Sequence, residues 1–158
     1  MSNVRWARIG FALLAWLFVA LVVVQVYLAG AAVEQLGGTK DFSTHQAMGF
    51  VLMIMALVQL VLSFAGRLPA RMIGASALVL ALVIVQSILV RMVPPNIEAL
   101  HPLNGFLIAV LGLWIAWRGL SFIRAPLPVE PERPVPTPTP ATVPPAPEPH
   151  EPKEDDQL

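Results

Sequence analysis

The 158 residues include no cysteine, one tyrosine and three histidines, and only 13% of them are charged. Without cysteine there is no disulfide, no iron–sulfur cluster and no covalent haem attachment through a C-x-x-C-H motif. There is no glycine-rich phosphate loop, no basic patch beyond those that set membrane topology, and no Ser/His/Asp arrangement with an acid inside an apolar run. Nucleic-acid binding, phosphate chemistry and nucleophilic catalysis therefore have no footing, and an enzyme is not expected.

What the chain has instead is apolar length. A 56% hydrophobic fraction and a mean hydropathy of +0.71 exceed those of an ordinary soluble domain. A hydrocarbon core of about 30 Å takes roughly 20 helical residues to cross, and four segments reach that length: about 9–31, 45–65, 72–92 and 99–117. None carries a charge in its middle. The expected fold is all-α: an integral membrane four-helix bundle occupying residues 1–124.

The first segment also invites a signal-peptide reading, because Arg5 and Arg8 precede it and Ala29-Gly30-Ala31 has the small residues of a cleavage site. A signal h-region runs about 7–15 residues, whereas Ile9 to Val33 is uncharged well beyond that. We read it as a helix. Arg5, Arg8, Arg67, Arg71, Arg118 and Arg124 fall on one side of the resulting topology, with Lys40 and Arg91 on the other. The positive-inside rule then places both termini in the cytoplasm of a cell-membrane protein.

From Ala125 onward the composition changes. Twelve of the sixteen prolines lie there, with seven acidic and two basic residues, so a net charge of −5 on the tail hides +5 on the rest. A stretch such as Pro134-Val135-Pro136-Thr137-Pro138 has no apolar periodicity with which to build a core, and residues 125–158 are expected to be a disordered polyproline-rich tail. It reads as a solubilising extension or as a docking strip for a proline-recognising groove. His150 belongs to it and is given no role.

The other two histidines occupy repeated positions. Val24, Gln25 and Leu28 lead to His45, Gly49 and Phe50; Val85, Gln86 and Leu89 lead to His101, Gly105 and Phe106. This reads as a duplicated helical hairpin with both imidazoles near the outer surface. Ser43 and Gln46 fit a capping box that puts His45 in the first turn of its helix. Pro102 disfavours helical geometry at His101, so the last helix is expected to begin near Ile97 to Ala99 with the proline in its first turn. Gly49 and Gly105, four residues on, clear the face below each imidazole, where a flat macrocycle or another helix would approach. Gln25 and Gln86 are too costly to leave unpaired in hydrocarbon. They serve as interhelical glue or orient the imidazoles, and Gln59 reads as glue alone. Gly30, Gly74 and Gly112 are expected at close helix contacts. Trp6, Trp114 and Trp117 fit an interface belt, and Met48, Met53 and Met55 read as packing.

On this H-x-x-x-G-F pair, with Leu100-His101-x-x-Asn104-Gly105, the chain resembles the four-helix unit of haem A synthases and, more loosely, the cytochrome b561 group. It also looks like an uncharacterised family of small bacterial four-helix membrane proteins with an H…LHP-x-N pattern. The first resemblance implies one b-type haem, held noncovalently, with His45 and His101 as its two axial ligands. It supplies one half of a haem A synthase, and it lacks the second histidine pair of a two-haem wire.

Two readings of the site follow. In one, the chain holds a single haem b between His45 and His101, with Arg91 or Lys40 pairing its propionates, and serves electron transfer or haem sensing with a redox partner in the membrane. In the other it is a cofactor-free accessory subunit whose histidines are polar residues of the interface. A transporter is less well supported, because no ionisable residue sits at mid-depth. A zinc-type site would need Glu34, Asp41 or Glu98 as a third ligand.

Overall fold

A computed structural model describes residues 3–36, 38, 41–91 and 94–125, leaving aside the side chains of Arg91, Pro95 and Glu98. Lys40 and the proline-rich segment lie outside the described residues. Among the described residues five helices follow in order: α1 (Asn3–Val33), α2 (Ser43–Ala65), α3 (Ala70–Arg91), the single turn α4 (Pro95–Glu98) and α5 (His101–Ile123). The four long ones are each apolar and long enough to cross a membrane, so the chain is a multi-pass membrane protein.

Side chains facing away from the bundle are as apolar as those inside it: Leu13, Val23, Phe64 and Phe106 are all exposed. A helix apolar on every side belongs in lipid. Each long helix packs on two neighbours, α1 on α2 and α5, and α3 on the same two, so α2 and α5 face one another across a diagonal. Phe11, Ala15 and Phe18 of α1 fill the centre with Met55 and Ala56 of α2, Met72 and Val79 of α3, and Ile108 and Ile115 of α5.

The α1–α5 contact depends on small residues. A Cβ at Gly112 would come within 3.3 Å of the Phe18 ring, and one at Gly119 within 3.3 Å of the Phe11 ring. Both glycines thus seat an aromatic ring of α1 against the α5 backbone. Gly30 and Gly74, expected at similar contacts, face open space instead. The buried hydroxyls of Ser63 and Ser76 bond back to the carbonyls of Leu60 and Met72 in their own helices, as a hydroxyl without water must. Gln59 is also buried, its Oε1 having no partner among the described residues.

Two expectations need correction, and one expected cation has a second role. Ser43 does not cap α2 with Gln46: the cap position is Phe42, with no side-chain cap hydrogen bond, and Ser43 is the first helical residue. The acceptor is Asp41, whose carboxylate takes the Ser43 amide at 2.8 Å and its hydroxyl at 3.0 Å. The last long helix begins at His101 rather than near Ile97, because α4 ends at Glu98 and a turn through Leu100 intervenes. It makes up its length at the other end, running on to Ile123. Arg8, read as a topology determinant, is 4% exposed. Its guanidinium donates to the carbonyls of Gly66 at 2.9 Å, Phe122 at 3.4 Å and Ala125 at 2.9 Å. A cation there meets the carbonyl ends of α2 and α5, where the helix dipoles are negative.

Candidate functional site

At the end of the bundle away from Arg8, α2 and α5 both begin with a histidine in the first turn. The two imidazoles come from helices on the diagonal, and their ring centroids are 6.2 Å apart with planes inclined at 55°. Six of the seven residues singled out in the sequence meet here: Gln25, His45, Gly49, Gln86, His101 and Gly105. The side chain of the seventh, Arg91, lies outside the described residues, as does Lys40.

Each histidine is held by the glutamine of its own hairpin. Gln25 Nε2 donates to the backbone carbonyl of His45 at 2.9 Å and lies 3.3 Å from His45 Nε2. Gln86 Nε2 does the same at His101, at 3.1 Å to each acceptor. An amide nitrogen only donates, so the imidazole Nε2 is the lone-pair nitrogen in both rings. At His45 the other nitrogen agrees: Nδ1 lies 3.1 Å from the Gln25 backbone carbonyl, which only accepts, so Nδ1 carries the proton. The glutamines thus orient the imidazoles, and the amides meet them through the glycines. A Cβ on Gly49 would lie 3.4 Å from Gln25 Nε2, and one on Gly105 3.3 Å from Gln86 Nε2. The clearance expected for a macrocycle is in this structure taken by the glutamine amides.

Sequence reading gave no role to Asn104. It is buried, and its Nδ2 donates to the Leu82 carbonyl at 2.9 Å and to Gln86 Oε1. Its place three residues after His101 was the available signal, since Met48 stands three residues after His45. Gln25 Oε1 is buried without a hydrogen-bond partner among the described residues.

Two clefts meet at the histidine pair. One, of about 380 Å³, adds Val26 and Ala29 of α1 and Pro102 and Phe106 of α5. The other, of about 300 Å³, adds Phe50 and Met53 of α2 and Val90 of α3. Both share the two glutamines, the two histidines, Gly49 and Ser87. The clefts therefore leave the imidazoles toward opposite faces of the bundle, along the seam between the α1–α2 pair and the α3–α5 pair. Among the described residues no group of three or more His, Cys, Asp or Glu side chains gathers, and the Glu98 side chain, a candidate third ligand, lies outside them. Asp41 is committed to Ser43, whose amide and hydroxyl hold its carboxyl below the usual carboxylate range.

Residues 25–93 are similar to a family described as a Family of unknown function (DUF6220). The match begins at Gln25, takes in His45, Gly49 and Gln86, and ends before His101, covering less than half of the chain. No curated protein and no solved structure matches it.

Proposed function

We propose that this membrane protein holds one b-type haem at the histidine end of the bundle, with His45 and His101 as its axial ligands. The observation that carries the reading is the spacing of the two imidazoles across the seam. Two imidazole nitrogens about 2 Å from a shared metal, each with its ring centre about 1.1 Å behind it, put the centroids about 6 Å apart. The observed 6.2 Å agrees. The paired clefts offer apolar room on both sides of that line, and the bundle interior is a usual place for ligands on facing helices. Likeness of the H-x-x-x-G-F pair to haem A synthase and cytochrome b561 is further support from the sequence pattern alone.

In this reading His45 Nδ1 keeps its bond to the Gln25 carbonyl, which fixes the ring and leaves Nε2 for the metal. The glutamine amides would give up the two Nε2 lone pairs, and the buried apolar side chains of Leu52, Val83 and Ile108 would keep the cleft dry. Haem with both axial positions filled supplies one-electron transfer, or a means of sensing haem, rather than oxygen chemistry.

One observation favours a second reading. Each glutamine already satisfies its histidine, which is what polar glue between membrane helices does, and a cofactor-free accessory subunit needs nothing more. Purification in mild detergent after expression with ample haem separates the two. The haem reading expects sharp reduced b-type bands and about one haem per chain by pyridine haemochrome, with the bis-imidazole spectrum lost in His45→Ala and in His101→Ala and kept in His150→Ala. A colourless, folded protein, or a spectrum that survives loss of both membrane histidines, overturns it.

A further inference from the structure

The two histidines are matched in position but not in how firmly their lone pairs are held. Gln86 is bound at both ends of its amide: Nε2 serves His101, and Oε1 accepts from Asn104, which is itself tied to the Leu82 carbonyl. Gln25 is bound at one end only, because its Oε1 has no partner among the described residues. To expose His101 Nε2, Gln86 must leave the Asn104 bond as well as the imidazole. Gln25 gives up nothing at Oε1 when it swings away, and any donor it then meets is a gain. Ser87 opens onto both clefts but bonds back to the Val83 carbonyl at 3.4 Å, so it offers Gln86 no alternative partner in this arrangement.

From this difference we infer an order of ligation, resting on the haem reading above: His45 takes the metal first, and His101 closes the second position once the Gln86–Asn104 pair yields. Asn104 is then a positioning residue that makes one of two similar imidazoles the slow one. One hydrogen bond corresponds to roughly a tenfold difference in how readily the lone pair is released.

The order can be read without haem. Diethyl pyrocarbonate acylates an imidazole nitrogen whose lone pair is free, and both rings are half-buried and line the same two clefts. In the unliganded full chain in detergent, mass spectrometry should find His45 carbethoxylated about tenfold faster than His101. Asn104→Met, which copies the residue at position 48, should bring the two rates within about twofold. Met48→Asn should slow His45, and this second variant keeps the test open where the first fails to fold. With haem as the probe, His101→Ala, which leaves His45, should bind about tenfold more tightly than His45→Ala. Equal wild-type rates, or a faster His101, overturn the order. Absence of haem binding with the rate order intact removes the haem reading alone and leaves the unequal hold on the lone pairs standing. Haem binding with equal rates removes the order alone.

Discussion

The Gln25–His45 seat and the Gln86–His101 seat differ by one side chain more than by any distance. Both glutamines reach their imidazole and the same histidine's carbonyl within 3.3 Å. Asn104 turns the second seat into a closed network ending on the Leu82 carbonyl, whereas in the first the amide oxygen of Gln25 has no partner among the described residues. In a medium without water an amide oxygen has few places to go. The comparison teaches that a matched pair of ligand-type residues can be one fixed and one adjustable, and that the residue deciding which is which acts through the far end of a glutamine amide.

The largest expected effect breaks the closed seat. Asn104→Leu removes both donors and strands Gln86 Oε1 in an apolar interior, a loss of about 2 kcal/mol. Met48→Leu, a swap that keeps volume, should stay under about 1.5 kcal/mol. Reversible unfolding in mixed detergent micelles measures both, and equal losses would mean that the Asn104 bonds contribute nothing beyond packing.

A smaller effect separates the two glycines. Gly→Ala inside a helix gains about 1 kcal/mol of propensity, set against a new Cβ close to a glutamine amide. At Gly49 the neighbour 3.4 Å away is Gln25, which can turn aside, so Gly49→Ala should be neutral or mildly stabilising. At Gly105 it lies 3.3 Å from Gln86, which Asn104 holds in place, so Gly105→Ala should be destabilising by about 1 kcal/mol. The same unfolding series checks the sign of each, and a reversal would place the rigid seat on the wrong hairpin.

Much of this was legible in the sequence. Four uncharged runs near 20 residues give four spans because bilayer thickness leaves little choice, and the repeat spacing of Gln25, His45, Gln86 and His101 marks the residues that meet. Less legible were features that depend on which atoms end up opposite one another. Arg8 looks like any flanking cation until the carbonyl ends of α2 and α5 converge on it. Asn104 stood inside a quoted motif with no role, because its meaning comes from the second amide bond on Gln86. Gly49 and Gly105 mark room for a macrocycle or another helix in the sequence, and in the structure glutamine side chains of the neighbouring helices α1 and α3 occupy it.

The helix starts that carry the two histidines differ as well, and this yields the smallest effect. α5 enters from the Leu100 turn with Pro102 in its first turn and no side-chain cap hydrogen bond. α2 leans on Asp41, whose carboxylate accepts from the Ser43 amide and hydroxyl, and whose negative charge suits the positive end of the helix. These bonds lower the Asp41 pKa in the folded chain. A lowered folded pKa means that the stabilisation is fully present above the unfolded value, about 3.9, and is lost as pH falls through the lower folded value. Acidification through that window should therefore loosen the first turn of α2, and Asp41→Asn isolates the share of that response due to the carboxylate. Amide protection at Ser43 to Ala47, taken relative to the intrinsic exchange rate at each pH, should fall with falling pH and should already be lower at neutral pH in Asp41→Asn. An equal fall at Leu103 to Phe106 would trace the acid response to the whole bundle instead of to the one carboxylate at the α2 start.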